Sequence, residues 1–376
     1  MRRFFLVAGG LSVLLHGYIA WRLLPALGLS TVATLLGALL FLLSAVLVPL
    51  GLLMSRSHRQ PLADRLAWVG MLLMGLFSSL LVLTLLREPL LLAGWLFAPA
   101  GQQWAGWSAW GVLGLAILMT LVGFVNARRS AQVVDVDVPI AGLPAALEGF
   151  TIAQLSDIHV GPTIKAGYLQ AIVERVNRLD ADAIAITGDL VDGSVAALRE
   201  HTRPLAGLRA RHGVFFATGN HEYYSGAPQW IDELRSLGVQ VLLNEHVVLQ
   251  RGDASLLLAG ITDYTAHQFD PAQRSDPQAA LANAPAHAYP RIVLAHQPRS
   301  APATAAAGFD MQLSGHTHGG QFWPWNHFVR LQQPYTAGLH RLDRLWIYIS
   351  RGTGYWGPPK RFGAPSEITR LRLVSA

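Results

Sequence analysis

Thr151-Ile-Ala-Gln-Leu-Ser-Asp-Ile-His-Val160 reads as a short buried strand that ends on Asp157-Ile-His159. An oxygen donor and a nitrogen donor stand two residues apart at its exit. In extended backbone, positions i and i+2 face the same way, so both side chains would reach one metal ion. Alone, the same letters fit a strand end with a capping Asp and an incidental His. What favours the metal is the order that follows: Gly188-Asp189, Gly219-Asn220-His221-Glu222, Ala295-His296 and Gly315-His316-Thr317-His318-Gly319.

Outward from this stretch the sequence alternates strands with helical segments, an α/β pattern. Strands are expected over 151–156, 183–187, 214–218, 239–243, 247–250, 255–261, 291–294, 311–313, 346–349 and 368–374, with an edge strand over 133–139. Helices are expected over 165–179, over most of 195–211 and over 228–237. Each potential ligand follows one of these strands, and the carboxyl ends of strands in open α/β sheets are where ligands bind. Gly188, Gly219 and Gly315 precede three of them, and glycine permits the tight turn that aims a ligand off a strand end. Asp157, His159, Asp189, Asn220, His296, His316 and His318 are hard oxygen or borderline nitrogen donors. The chain has no cysteine, so the set suits Mn, Fe or Zn rather than a soft metal. Seven donors are too many for one catalytic ion that keeps an open position, and they suit two ions sharing a carboxylate. Singly, Asp189 reads as an Asx turn, Asn220 as a cap and His296 as a core histidine. Two histidines flanked by glycines do little for packing, and the joint order favours a metal site.

The N-terminal third has a different character. The whole chain is 52% apolar and only 14% charged over 376 residues. Apolar runs at about 4–24, 29–54, 66–86 and 107–125 reach the ~20 residues needed to span a bilayer. Residues 90–98 are too short to span and are expected at the interface, with Trp95, Trp104, Trp107 and Trp110 as an aromatic belt. The expected domains are therefore a transmembrane part over 1–129 and an α/β part over 130–376. Residues 1–129 hold nine arginines against Asp64 and Glu88, a net of +7 that leaves −1 for the rest of a chain totalling +6. The basic balance thus belongs to the membrane part, and no nucleic-acid partner is expected. His16 is the lone ionisable group inside a span and is expected to stay neutral in a helix contact, so a transport pathway is weakly supported.

Basic residues flank alternate ends: Arg2 and Arg3, then Arg56, Arg59 and Arg65, then Arg128 and Arg129. The positive-inside rule puts those ends, and the α/β part, in the cytoplasm. Arg2-Arg3-Phe4-Phe5-Leu6 also looks like a twin-arginine export signal, which keeps the periplasmic side open.

The order D-x-H, GD, GNHE, H, GHTH resembles the calcineurin-like metallophosphoesterase superfamily over about 131–376. Ser350-Arg-Gly-Thr-Gly354 and Arg361-Phe-Gly-Ala-Pro-Ser-Glu-Ile-Thr369 resemble its YkuE/YaeI-like, membrane-associated bacterial branch. The resemblance implies a four-layer α/β/β/α sandwich with a dinuclear site, here preceded by a bundle of about four transmembrane helices. It implies Asp157, His159 and His318 as ligands of the first metal, and Asn220, His296 and His316 as ligands of the second. It implies Asp189 as the bridging carboxylate and His221 as the catalytic histidine.

Two cations acidify a shared water and neutralise charge on phosphoryl oxygens, so the expected reaction is hydroxide attack on a phosphoester. His221 would protonate the leaving group, and Glu222 would orient a ligand or backbone group. The expected substrate is a phosphodiester of a phospholipid or lipid-linked compound at a bacterial cell membrane. The alternatives are a nucleotide-linked lipid pyrophosphatase of the UDP-diacylglucosamine type, or a membrane scaffold or sensor that binds metal without catalysis. Phe322, Trp323, Trp325, Tyr355 and Trp356 read either as an apolar lip or as packing. Arg299, Arg351 and Arg361 read either as phosphate clamps or as carboxylate partners.

Overall fold

The computed structural model describes residues 2–54, 60–97 and 102–376. Arg56, Arg59 and Ala98, together with the side chains of Arg2 and Arg3, lie outside that description. The chain divides into two compact units, Met1–Arg128 with Gly357–Phe362, and Arg129–Trp356 with Gly363–Ala376.

The first unit is helical: α1 (Arg2–Leu23), α2 (Thr31–Met54), α3 (Leu62–Phe97) and α4 (Gln102–Arg128). All four are long and apolar enough to cross a membrane. The third is longer than its apolar run. It continues through Arg87-Glu88-Pro89 to Phe97, absorbing the stretch expected to lie apart from it. In apolar surroundings an unpaired backbone N–H or C=O costs several kcal/mol, so a continued helix is favoured over a break, even at a proline. Gly51 of α2 and Gly70 of α3 let these helices touch: a Cβ on Gly51 would meet Gly70 Cα at 2.7 Å.

Polar groups in this unit are paired. His16 Nδ1 lies 2.8 Å from Ser12 O, its Nε2 lies 2.9 Å from Ser44 Oγ, and its ring stacks on Phe77 at 4.2 Å. Arg22 Nε donates to Glu88 Oε1 at 2.8 Å, while buried Arg87 donates to Ser108 Oγ, Arg22 O and Ala105 O. The segment Gly357–Phe362 packs between α3 and α4. There Lys360 Nζ donates to Gly75 O at 2.8 Å, to Thr120 Oγ1 at 3.3 Å and to Ser79 Oγ. Gly123 makes room, since a Cβ there would meet Lys360 Cγ at 2.6 Å.

The second unit holds two six-stranded sheets. Its strands are β1 (Gln132–Ile140), β2 (Thr151–Leu155), β3 (Ala183–Ile186), β4 (Val214–Phe216), β5 (Gln240–Val241), β6 (Glu245–Arg251), β7 (Ala254–Gly260), β8 (Arg291–Leu294), β9 (Met311–Ser314), β10 (Gly338–Leu342), β11 (Leu345–Ile349) and β12 (Glu367–Ser375). The sheet orders are β1-β12-β2-β3-β4-β5 and β10-β11-β9-β8-β7-β6. In the first sheet β2 to β5 are parallel neighbours. Parallel neighbours require crossovers, and these carry α5 (Ala166–Asn177), α6 (Val195–Thr202), α7 (Asn220–Ser225) and α8 (Ala227–Ser236). On α5 the apolar positions Leu169, Ile172, Val173 and Val176 are the buried ones, the spacing of one helix face. α9 (Ala301–Ala307) connects β8 to β9 in the second sheet, and α10 (Trp325–Phe328) follows β9.

The two sheets stack on a shared core. Leu256 and Leu258 of β7 join Ile152, Ala185 and Phe215 of the first sheet, while Leu257 and Ala259 turn to the opposite face with Ala301 and Phe309. This alternation with period two produces the α/β/β/α layering. Three local differences from expectation have simple causes. Only Val195–Thr202 of the 195–211 segment is α-helical, because Pro204 lacks the N–H that would continue it. The Ala-rich 279–288 stretch keeps only a turn at Ala279–Leu281. β10 was not expected; it pairs antiparallel with β11 across a turn in which Asp343 has φ 53°.

Candidate metal centre

Each expected ligand emerges just beyond a strand: Asp157 and His159 after β2, Asp189 after β3, Asn220 after β4, His296 after β8, and His316 and His318 after β9. The backbone that aims them is not extended, which corrects the pleat argument made for Asp157 and His159. β2 stops at Leu155, and Asp157, His159, Asp189, His316 and His318 all adopt left-handed φ between 51° and 69°. For residues with a Cβ such geometry costs of order 1–3 kcal/mol each, and it persists where surrounding bonds impose it. Those bonds are present: Asp157 N donates to Gly188 O, His159 N to Asp189 O and Val160 N to Leu190 O, lacing the two turns together.

The three glycines act partly through space. Gly188 has φ 84°, and a Cβ there would meet Gly219 N at 2.5 Å. Gly219 and Gly315 are needed for room: a Cβ would reach Asp189 Oδ1 or Asp157 Oδ2 at 2.2 Å.

Two donor groups form. Asp157, His159 and His318 offer ligand atoms within 4.8 Å of one another, and so do Asp189, His296 and His316. Asp189 Oδ2 stands between them, 3.1 Å from His296 Nε2 and 4.0 Å from His159 Nε2. Asn220 is buried and its Oδ1 has no hydrogen-bond partner. The ring nitrogens tell the same story. His159 Nδ1 is 2.9 Å from Asp192 Oδ1, and His296 Nδ1 is 2.7 Å from Thr187 O. Donation from those Nδ1–H groups leaves both Nε2 atoms as lone pairs, the arrangement found behind metal-bound histidine. Yet His159 Nε2 faces His318 Nε2 at 3.1 Å, and His296 Nε2 faces His316 Nδ1 at 3.2 Å. Lone pairs turned toward one another, beside carboxylates and an orphaned amide oxygen, fit cations of the hard or borderline class.

Asp192 was missed by the sequence reading. Its Oδ1 also accepts from His221 Nδ1 at 2.6 Å, so one carboxylate oxygen orients both His159 and His221. The available signal was a second acid three residues after Asp189 in the same turn. Glu222 behaves as a backbone organiser: Oε2 accepts from Asp189 N and Gly219 N, and Oε1 from Leu190 N. Burial disfavours a charged His221, but Asp189 and Asp192 outweigh it and raise the imidazole to about 9. Burial, reinforced by neighbouring His296, drops His316 to about 3 and keeps its lone pair available. Burial and then Asp189 raise Glu222 to about 7.

The residues named as a possible lip or clamp divide. Phe322 and Tyr355 are buried, whereas Trp325 and Trp356 are 42% and 50% exposed. Trp356 lies 5.7 Å and Tyr224 5.1 Å from the His221 ring, and Phe269 packs on Tyr224 at 5.5 Å. Arg351 pairs with Glu367, and Arg299 donates to Gln332 O. Arg361 is fully buried in the helical unit and its N–H donates to Gly123 O, so it is not on the rim of the donor cluster.

Residues 150–320 match the family described as calcineurin-like phosphoesterase. The chain is 40% identical over 274 residues to a transmembrane protein with metallophosphoesterase domain from Danio rerio, covering 70% of this chain and 62% of that protein. It is 28% identical over 242 residues to the uncharacterized metallophosphoesterase YkuE of Bacillus subtilis, covering 62% of this chain and 82% of YkuE. It therefore spans less than two thirds of the length of the Danio rerio relative and more of the shorter bacterial one. An uncharacterized metallophosphoesterase of Aquifex aeolicus is matched over 87% of its length, with 61% of this chain, at 33% identity. With that match and its donor-bearing turns in the family's order, the chain belongs to the calcineurin-like metallophosphoesterases.

Proposed function

We propose that the chain is a membrane-anchored phosphoesterase that hydrolyses a phosphodiester, probed here as the diester of a phospholipid or lipid-linked compound. The observation that carries the reaction class is Asp189 Oδ2, within 4.0 Å of a ring nitrogen from each donor group. Asp157, His159 and His318 would hold one cation and Asn220, His296 and His316 the other, with Asp189 serving both. Two divalent ions of the Mn, Fe or Zn class supply acidification of water and neutralisation of phosphoryl charge.

The chain's own groups do the remaining work. Asp192 fixes the His221 ring through Nδ1 and turns Nε2 toward the cluster, 3.9 Å from Asp189 Oδ2. From there His221 donates a proton to the departing alkoxide oxygen. Glu222 holds the Asp189 and Gly219 backbones, and so the bridging carboxylate, in place.

Three exposed aromatics beside His221, namely Trp356, Tyr224 and Phe269, support a lipid-borne substrate. Rings with an apolar body and a polar tip favour the bilayer interface. We infer a cytoplasmic position for this unit in a bacterial membrane. The support is charge: Arg22 is paired with Glu88 and Arg87 is buried at one end of the bundle, while the unpaired excess of arginine in the sequence belongs to the other.

The test is turnover by the full chain in detergent, stripped of metal and reloaded with Mn. Bis-p-nitrophenyl phosphate should be hydrolysed faster than p-nitrophenyl phosphate, and Asp189→Ala should abolish both activities. Metal-loaded protein inert toward every phosphoester tried would sink this reading in favour of a sensor.

A further inference from the structure

A second feature adjoins the donor cluster within the same unit. Thr317, between His316 and His318, donates from Oγ1 to Thr336 O at 2.6 Å and accepts from Gly319 N at 3.2 Å. Thr336 and Gly319 both line a cleft of about 410 Å³, whose wall also includes Asn326, His327, Arg330 and Arg351. The turn that carries two donor histidines is therefore also one wall of this cleft.

The cleft has a defined electrostatic character. No carboxylate lines it, and two arginines and a histidine do. Arg351 is fixed from behind: its N–H donates to Glu367 Oε1 at 3.0 Å and its Nη1 to Glu367 Oε2 at 2.7 Å, on a carboxylate that is itself buried. Its stem crosses Gly319, where a Cβ would meet Arg351 Cγ at 3.0 Å. About a third (36%) of the Arg351 side chain stays exposed. Arg330 is exposed on the segment after α10. A planar guanidinium fork fits a phosphate bidentately, and a pre-positioned one does so at little entropic cost. The volume falls within the range of small-molecule subsites.

We propose that this cleft is a subsite for a second phosphate of the substrate, one attached beyond the phosphorus that is attacked. Arg330 and Arg351 recognise its charge, and the Thr317–Thr336 bond sets its distance from the donor cluster. The proposal rests on the phosphoesterase reading and narrows it to substrates with two phosphates. A choline-type cationic headgroup would meet the two arginines unfavourably.

The experiment uses the detergent-solubilised full chain with Mn. Bis-p-nitrophenyl phosphate turnover reports competition by three probes: phosphatidylglycerol (lipid, one phosphate), CDP-diacylglycerol (lipid, two phosphates) and UDP-N-acetylglucosamine (no lipid, two phosphates). CDP-diacylglycerol should bind wild type about tenfold or more tightly than phosphatidylglycerol, as expected for added charge-assisted hydrogen bonds. Arg330→Ala should shrink that ratio by about tenfold, and Arg330→Lys should restore part of it. Equal loss for UDP-N-acetylglucosamine would assign the subsite to the pyrophosphate itself, and loss confined to CDP-diacylglycerol would assign it to a lipid-held phosphate. A ratio near one in wild type, or one that Arg330→Ala leaves unchanged, overturns the subsite. Absence of any metal-dependent turnover in wild type overturns the phosphoesterase reading instead, so the two failures are distinguishable.

Discussion

In the helical unit His16 has a partner on each ring nitrogen, and Lys360 spends its N–H groups on Gly75 O, Ser79 Oγ and Thr120 Oγ1. In the two-sheet unit His159, His296, His316 and His318 point ring nitrogens at one another, and Asn220 Oδ1 has no partner at all. Both sets are buried, and both consist of groups that cost energy when removed from water. The first set is closed on itself, and the second converges on positions where a cation would complete it. Burial of a polar residue therefore does not mark function in this chain; incompleteness of its partners does. The contrast is exposed to test by breaking each set in turn.

The largest effect should come from Asp189, which reaches toward both donor groups. Asp189→Ala is expected to lower kcat for bis-p-nitrophenyl phosphate by about a thousandfold or more and to reduce bound metal. Steady-state kinetics with metal analysis on the same sample check both. Retained turnover with full metal would mean that Asp189 is only another buried carboxylate.

His221→Ala separates catalysis from metal binding. Turnover should fall about a hundredfold with metal content unchanged. Asp192→Asn should fall between about ten- and a hundredfold, because it loosens His159 and His221 together. If His221→Ala matches wild type in kcat, the histidine only packs between Trp356 and Tyr224.

What could be read from the sequence tracks the reach of the interactions involved. Strand ends, glycines and donor types are local, and each expected donor stands after a strand of the two sheets. Asp192 escaped because its meaning depends on two rings, 33 and 29 residues away along the chain. The left-handed turns at Asp157 and His159 escaped because they are imposed by the neighbouring Gly188–Leu190 backbone, not by local propensity. Lys360 and Arg361 were the least legible. The motif that carries them reads as part of the α/β domain, and only the long-range bonds to Gly75 and Gly123 assign them to the helices.

Glycine 123 tests the closed set at that point. Gly123→Val would drive a side chain into Lys360 Cγ, where even a Cβ sits at 2.6 Å. Overpacking of this kind costs about 1–3 kcal/mol, so the variant should melt several degrees below wild type in detergent. Activity per folded molecule should be retained. A variant that melts like wild type would show that the Lys360 segment yields easily and that the set is not closed.

The smallest effect should belong to His16. Hydrogen bonds between membrane helices average about 0.6 kcal/mol, and Ser12 keeps its bond to Ala45 O at 2.9 Å when the imidazole is removed. His16→Leu should therefore cost about 1 kcal/mol, a shift of roughly 2–4 °C in melting temperature, mostly from losing the Ser44 bond and the Phe77 stack. Turnover normalised to folded protein should not change. An ionisable residue inside a span is by default a functional suspect, and the paired nitrogens are the reason for treating this one as structural. If His16→Leu melts like wild type but loses turnover, complete pairing does not identify a structural residue, and the distinction drawn between the two buried sets fails.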